Sequence, residues 1–238
     1  MAVNLERYRS GSLGRLYTWF AAIAALVVFA GFARTYFLKD VFGTPALSGL
    51  VHLHGLVMTA WFSLLVVQTQ LVEAHRVDLH RRLGILGAVL ALLVVVVGAT
   101  TAIAAAHRGV SPGPPPLVFL VVPLGDILVF TVLVTAGLSL RRRSPASHKR
   151  LMLLASLGIL SAAFARIPLG FIQSGGPLAF FGLTDLCLVV CVAIDSIRHG
   201  RLHPAFGWGA AFVIASHPLR LMLAGTPAWM QFATWLAG

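Results

Sequence analysis

Residues 83–106, LGILGAVLALLVVVVGATTAIAAA, form a run of 24 residues without one charged side chain. A helix of about 20 apolar residues, at a rise of about 1.5 Å per residue, crosses a bilayer core of about 30 Å, so the run predicts a transmembrane helix. The whole chain has the same character: 58% of its residues are hydrophobic, 11% are charged and the mean hydropathy is +0.91. Soluble domains carry about 25% charged residues, so these 238 residues leave no room for a separate soluble catalytic or nucleic-acid-binding domain.

Six more apolar runs of similar length lie on either side of this run, and polar breaks separate them. We therefore predict an all-α polytopic membrane protein with seven transmembrane helices, at 16–38, 48–72, 83–106, 116–140, 149–172, 177–197 and 204–225. The predicted organisation is a basic cytoplasmic N-terminus (1–15), a single seven-helix transmembrane domain (16–225) and an outer interfacial segment (226–238). Thr226 and Pro227 predict a helix start in that last segment, since they suit the cap and the first turn.

The 18 Lys and Arg residues are distributed unequally over the two sides of the membrane. With the N-terminus inside, thirteen lie on the inner side and five on the outer side, and the positive-inside rule then predicts an N-in, C-out protein of a bacterial-type inner membrane. The net charge of +11 is thus a topology signal that can meet anionic lipid at the cytoplasmic face, and it gives no case for nucleic acid. The inner set is Arg7, Arg9, Arg15, Arg76, Arg81, Arg82, Arg141, Arg142, Arg143, Lys149, Arg150, Arg198 and Arg201, and the outer set is Arg34, Lys39, Arg108, Arg166 and Arg220.

Weak internal repetition accompanies this topology. The third, fifth and seventh predicted helices each begin beside a histidine: His80 in LHRRLG, His148 in SHKRLM and His203 in LHPAFG. The fourth and sixth helices each carry one acid, Asp126 and Asp185. Three repeated helix hairpins plus one extra first helix would explain the pattern, and chance similarity between apolar helices is the alternative.

A layer of polar residues is predicted in the outer half of the membrane. At about 1.5 Å per residue, its members lie roughly 8 to 15 Å from the outer ends of their helices. An ionised residue at the membrane centre costs about 2.5 to 3.5 kcal/mol, so these side chains are expected to face inward and to form two Asp–Arg ion pairs. The layer consists of His54, Asp126, Arg166, Asp185, His217 and Arg220.

Two interpretations of this layer remain open at the level of sequence. In the first, the ion pairs of Asp126, Asp185, Arg166 and Arg220 only hold the helices together. In the second, the pairs line an outward-opening cavity in which His54 and His217 act as ligands or proton carriers.

A divalent metal would need three protein ligands and an open position, and His54 and His217 with Asp126 or Asp185 are the tentative metal set.

A b-type haem in a helical bundle needs two imidazoles on different helices at equal depth, with small residues along the ring. His54 and His217 meet the depth condition on the outer side, and His80 and His148 meet it on the inner side. The third helix supplies small positions at Gly84, Gly87 and Gly98. Haem b, a divalent metal and no cofactor at all remain open.

Three short motifs carry resemblances to known families. VHLHGLVMTAWF (51–62) through VDLHRRLG (77–84) resembles the two-haem cytochrome b family of transmembrane electron carriers, and also bacterial polytopic membrane proteins of unassigned function that share H-R-x-x-G at this cytoplasmic corner. SHKRLMLL (147–154) resembles the H-K-x-L-M of membrane proteins linked to haem-copper oxidase assembly. The resemblance covers about 60 residues and implies haem ligation by histidine. The cytochromes repeat histidines within helices, however, where this chain has Asp126 and Asp185.

The seven-span, N-in arrangement also resembles the adiponectin-receptor and haemolysin-like zinc hydrolases. Those proteins place H-x-x-x-H on the seventh helix, whereas this chain has only His217 there. No phosphate-cradling glycine loop and no nucleophile elbow occur in the sequence, which favours a non-enzymatic function. Three functions are therefore predicted as alternatives: a cofactor-binding, redox or assembly module, a small-solute or proton transporter or sensor, and a structural partner of another membrane protein.

Overall fold

The computed structural model describes residues 2–111 and 113–238, with side chains from Arg15 onward. The side chains of Arg7 and Arg9, which we predicted to be cytoplasmic, lie outside the described residues. The chain is 82% helical, and no strand occurs in its described part. The all-α prediction is confirmed.

The helices follow the apolar runs closely. α1 passes directly into a five-residue π-helix, Ala33–Phe37, before the first long connection. The helices are α1 (Ala2–Phe32), α2 (Gly49–Glu73), α3 (Val77–His107), α4 (Pro116–Phe119), α5 (Val121–Leu140), α6 (Pro145–Gly158), α7 (Ser161–Phe164), α8 (Gly170–His199), α9 (Pro204–Leu223) and α10 (Pro227–Ala237).

Five helical stretches in the described part of the chain are long and apolar enough to cross a membrane. They correspond to the first, second, third, fourth and sixth predicted runs and indicate a multi-pass membrane protein. The seventh predicted run forms α9 but does not reach the same hydropathy, because it contains His217, Pro218 and Arg220. The five stretches are Arg15–Phe37, Gly49–Glu73, Val77–His107, Pro116–Leu140 and Gly170–His199.

The fifth predicted run is not the single helix that we expected over 149–172. α6 ends at Gly158, the one-turn helix α7 follows, and residues 165–169 leave the helical path before α8 begins. Tighter turns interrupt the α-helical hydrogen bonding here, since the N–H groups of Leu160, Ala163 and Arg166 donate to carbonyls three residues earlier. Pro168 then prevents the helix from resuming, because it lacks an N–H and restricts the residue before it.

α8 is an uninterrupted helix only from Pro177 onward. Gly176, one residue earlier, has φ of 52° and interrupts α8. A positive φ of this kind favours glycine, and proline suits the first turn of the helical segment that follows. This break explains why the sequence predicts the transmembrane segment from residue 177.

α1 and α2 hold the interrupted segment from two sides. A Cβ on Gly31 of α1 would lie 2.3 Å from the carbonyl oxygen of Ala163, so the two backbones meet closely. From α2, the buried Trp61 donates its indole N–H to the Ser156 hydroxyl at 3.2 Å. The break between α6 and α7, where Leu160 is buried, is therefore enclosed by protein, as irregular structure at membrane depth requires. Arg166, Pro168 and Leu169, further along the connection to α8, are exposed.

The C-terminal segment forms the short helix that Thr226 and Pro227 predict. Thr226 is its N-cap, and the Thr226 side chain accepts a hydrogen bond from the N–H of Trp229 at 3.2 Å. The Trp229 indole donates to the carbonyl of Leu117 at 2.8 Å and ties this helix to α4. The helix start is confirmed.

Gly31→Ala should destabilise the protein by about 1 to 3 kcal/mol, because the new methyl group meets rigid backbone at Ala163. Gly182→Ala is the matched control, since nothing lies within 4 Å of a Cβ at this helical glycine; it should be neutral or stabilising by up to about 1 kcal/mol. Thermal unfolding of the two purified variants in detergent checks this. Equal unfolding temperatures would contradict the close approach.

Candidate functional site

Asp126 of α5 and Arg220 of α9 form a buried ion pair within the predicted layer. The second carboxylate oxygen of Asp126 accepts a hydrogen bond from the Ser161 hydroxyl at 2.9 Å. Arg220 also donates through Nη2 to the Ser216 hydroxyl at 2.9 Å. Charge and hydrogen-bonding capacity are thus largely satisfied within the protein, as the membrane interior requires.

Glycine at position 125 makes room for this pair. A Cβ there would lie 2.3 Å from Nε and 2.5 Å from Cδ of Arg220, so the arginine side chain crosses α5 directly over the glycine. The Gly125-Asp126 dipeptide therefore supplies both the passage for the arginine and the carboxylate that it reaches.

Asp185 of α8 and His217 of α9 form a second pair with different bonding. Nδ1 of His217 lies 2.8 Å from Oδ1 of Asp185. The two atoms are close but not aligned as a hydrogen bond, and within the described part of the chain Nε2 of the same ring has no partner. His217 is only 2% exposed, whereas the Asp185 side chain is 29% exposed. The imidazole stacks on Phe181, with ring centroids 4.2 Å apart.

The structure forms one Asp–Arg pair in the layer instead of the two that we expected. The partner of Asp185 is His217, because Arg166 lies beyond the helix break. Arg166 is exposed, donates through Nη1 to the carbonyl of Ala162 at 2.7 Å, and lines a cleft at the edge of the bundle.

His54 is half-buried on α2, and no hydrogen bond, ion pair or ring contact joins it to His217 in the described structure. The tentative metal ligands are divided between the two pairs: Asp126 contacts Arg220, and Asp185 contacts His217. No group of three or more His, Cys, Asp or Glu side chains suitable for a metal ion occurs among the described residues.

His80 and His148, the inner pair of candidate ligands, do lie side by side. Their ring centroids are 6.3 Å apart and the rings are inclined by 72°. Nδ1 of His148 lies 2.9 Å from the carbonyl oxygen of Gly137. In the orientation that satisfies its neighbours, the Gln68 amide donates to Nδ1 of His80 at 2.6 Å.

These contacts occupy Nδ1 on each ring, so the two Nε2 atoms are available to a ligand. His148 precedes the predicted fifth span, and burial lowers the pKa of its imidazole, which favours the neutral form that binds metals. The glycines that we expected beside a haem have side chains of α2 and α5 as their nearest neighbours. A Cβ on Gly84 would have Gln68 as its nearest neighbour at 4.0 Å, and one on Gly98 would meet Ile127 at 3.4 Å.

A third buried cluster lies at the opposite end of the bundle, and our sequence analysis missed it. Arg150 of α6 donates to Oδ2 of Asp195 through Nε at 2.9 Å and Nη2 at 2.7 Å, while the Tyr17 hydroxyl donates to Oδ1 at 2.7 Å. The sequence analysis places Arg150 among the thirteen cytoplasmic Lys and Arg residues and assigns it no ion pair. Their equal depth could have indicated the pair, because Arg150 and Asp195 both lie at the inner ends of neighbouring predicted helices.

Comparison with known proteins gave no match: no family model matches the chain, and no similar curated protein or solved structure was found. Function is therefore inferred from the residues and contacts of the chain itself.

Asp126→Asn should destabilise the protein by about 3 to 5 kcal/mol, because it leaves the buried Arg220 without a counter-charge. The double variant Asp126→Asn, Arg220→Gln should recover part of the loss, since no unpaired charge then remains. The control is Asp40→Asn, which changes an acid whose side chain is 87% exposed. Thermal unfolding in detergent measures all three, and additive losses in the double variant would contradict a direct pair.

Proposed function

We propose that the protein is a seven-span, N-in proton transporter of a bacterial-type cytoplasmic membrane, and that the Asp185–His217 pair binds and releases the transported proton. The 13 to 5 distribution of basic residues supports the orientation and the location. The same basic residues are proposed to contact anionic lipid at the cytoplasmic face.

One observation carries this proposal: a 2% exposed imidazole lies 2.8 Å from a carboxylate oxygen and makes no aligned hydrogen bond. An unsatisfied buried polar group costs about 1 to 3 kcal/mol, and a role in proton binding would explain why this pair carries such groups. A proton on Asp185 can transfer to His217, which converts a neutral acid and a neutral ring into a carboxylate and an imidazolium. The pair can therefore hold one proton on either side chain without a change in total charge.

The interrupted helix gives the proposal a second support. Transporters often build their sites from discontinuous helices near the middle of the membrane, where irregular backbone lies within protein. Here the break between α6 and α7 supplies Ser161, whose hydroxyl donates to Asp126 at 2.9 Å. The break thus lies at the polar layer.

The packing hypothesis explains one of the two pairs well. Asp126 and Arg220 are buried and pair through Nη1, with Nε of Arg220 left without a described partner, so a structural role accounts for them. Asp185 and His217 are not satisfied in this way, and packing alone gives no reason to retain them. We therefore assign proton binding to the second pair and helix packing to the first.

Proteoliposomes containing a pH-sensitive dye test the proposal. A potassium diffusion potential, negative inside, should drive proton entry with the wild-type protein. Asp185→Asn and His217→Gln should lower the rate to that of protein-free liposomes, because each removes one proton-binding group. Asp185→Glu keeps a carboxylate and should retain flux, and Asp40→Asn should match the wild type because Asp40 is exposed in a connecting loop.

Folding is checked separately by size-exclusion chromatography and thermal unfolding of each variant. Wild-type flux in a folded Asp185→Asn protein would contradict the proposal. Equal loss in the Asn and Glu variants would also contradict it, because the effect would then follow the shape of the side chain and not its proton.

The closeness of His80 and His148 favours a second candidate, a haem or metal site at the inner end. Two imidazoles bound through nitrogen to one ion, at about 2.0 to 2.1 Å each, have ring centroids roughly 6 Å apart, and the observed separation is 6.3 Å.

The purified protein should then show a Soret band or about one metal ion per chain. His80→Ala and His148→Ala should remove the signal, and the control His75→Asn should keep it. A preparation with neither signal would exclude this candidate.

A further inference from the structure

A cleft of about 540 Å³ opens at the edge of the bundle, between the π-helix that follows α1 and the connection from α7 to α8. It contains two guanidinium groups, and none of its lining residues is acidic. Its polar and aromatic lining consists of Arg34, Thr35, Phe42, Thr44, Arg166 and Gln173.

Both arginines of the cleft are placed without help from a carboxylate. The Arg166 guanidinium lies 4.6 Å from the centre of the Phe32 ring, and that of Arg34 lies 5.0 Å from the centre of the Phe42 ring. Nη1 of Arg166 donates to the carbonyl of Ala162. No acid comes within ion-pair distance of either arginine in the part of the chain that the structure describes. A guanidinium has five N–H donors, so most of them remain for a ligand.

The walls of the cleft are held by their own hydrogen bonds. The Thr44 hydroxyl donates to the backbone carbonyl of Arg34 at 2.7 Å, which fixes the loop after the π-helix against that arginine. The Gln173 amide donates to the carbonyl of Ile167 at 3.0 Å, which fixes the connection that carries Arg166. The backbone that carries each arginine is therefore held in place before any ligand binds, and this lowers the entropic cost of binding.

The nearby charges leave the cleft positive. Asp40 is the acid of the adjoining loop, and Nζ of Lys39 lies 2.5 Å from its carboxylate. The Asp40 side chain is 87% exposed and directed to the outside. Two arginines that share a cleft without a counter-charge repel each other, and a bound anion would remove this repulsion.

We propose that this cleft binds a phosphate-type oxyanion. A planar guanidinium matches pairs of phosphate oxygens through parallel hydrogen bonds, and two such groups around one cleft suit a tetrahedral anion with three or four acceptor oxygens. The phosphate can belong to a lipid headgroup at the membrane surface or to a free solute. The site uses no residue of the Asp185–His217 pair and does not depend on proton transport.

Calorimetric titration of the detergent-purified chain with inorganic phosphate, at constant ionic strength, tests the free-solute form. Arg34→Gln and Arg166→Gln should each weaken binding about tenfold or more, as expected for a lost charge-assisted contact. Arg166→Lys keeps the charge and should bind more tightly than Arg166→Gln. Arg108→Gln is the matched control, because Arg108 is an exposed arginine outside the cleft and on the same predicted side.

Native mass spectrometry after reconstitution in equal parts phosphatidylglycerol and phosphatidylcholine tests the headgroup form. Retained phosphatidylglycerol that is lost in Arg34→Gln and Arg166→Gln, without binding of inorganic phosphate, assigns the site to lipid. Binding of inorganic phosphate that needs both arginines assigns it to a free solute. The proposal is overturned if neither ligand binds, or if Arg108→Gln weakens binding as much as the cleft variants do. Unfolding temperatures without phosphate identify any variant that misfolds.

Discussion

The absence of water in the hydrocarbon core is the constraint that organises this structure, because every buried charge and backbone group must then find its partner inside the protein. The Asp126–Arg220 pair meets that condition and joins α5 to α9. Ser161 donates to the same carboxylate, so the pair also includes the segment where α6 gives way to α7. One interaction thereby fixes three parts of the bundle and stabilises a helix break that would be costly in contact with lipid.

α8 carries one carboxylate that is fully hydrogen-bonded, Asp195, and one that is not, Asp185. Near its end, Asp195 is bound by Arg150 and Tyr17, which ties α8 to α6 and α1. Asp185 lies ten residues earlier, about 15 Å along the helix, and it contacts His217 without an aligned hydrogen bond. The Gly176 break lies beyond that point. The Asp195 end of α8 is thus tied to two other helices by side-chain hydrogen bonds, whereas Asp185 makes no aligned hydrogen bond to His217. Under the proposed function, a change in protonation acts at this less constrained position.

Much of the fold was predictable because hydrophobicity and length are properties of single segments. Five of the seven predicted runs form helices able to cross a membrane, and the depths of Asp126 and Arg220 indicated a shared layer. The choice of partners was not predictable, since each residue turns a helix by about 100° and the rotation of one helix against another depends on tertiary packing. Asp185 therefore pairs with His217 and not with an arginine. The Arg150–Asp195 pair could have been found, because the depth argument applies equally at the inner end.

The position of Arg166 shows where the depth argument fails. A uniform rise of about 1.5 Å per residue would place Arg166 in the layer. Between Leu160 and Ile167 the chain instead mixes α-helical hydrogen bonds with tighter turns, and it then leaves the helix. Arg166 therefore lines the cleft that also contains Arg34 and does not pair with Asp185. The break between α6 and α7 also places the Ser161 hydroxyl on Asp126. It therefore lies between the paired charges inside the bundle and the positively charged cleft at the edge, whose arginines have no counter-charge among the described residues.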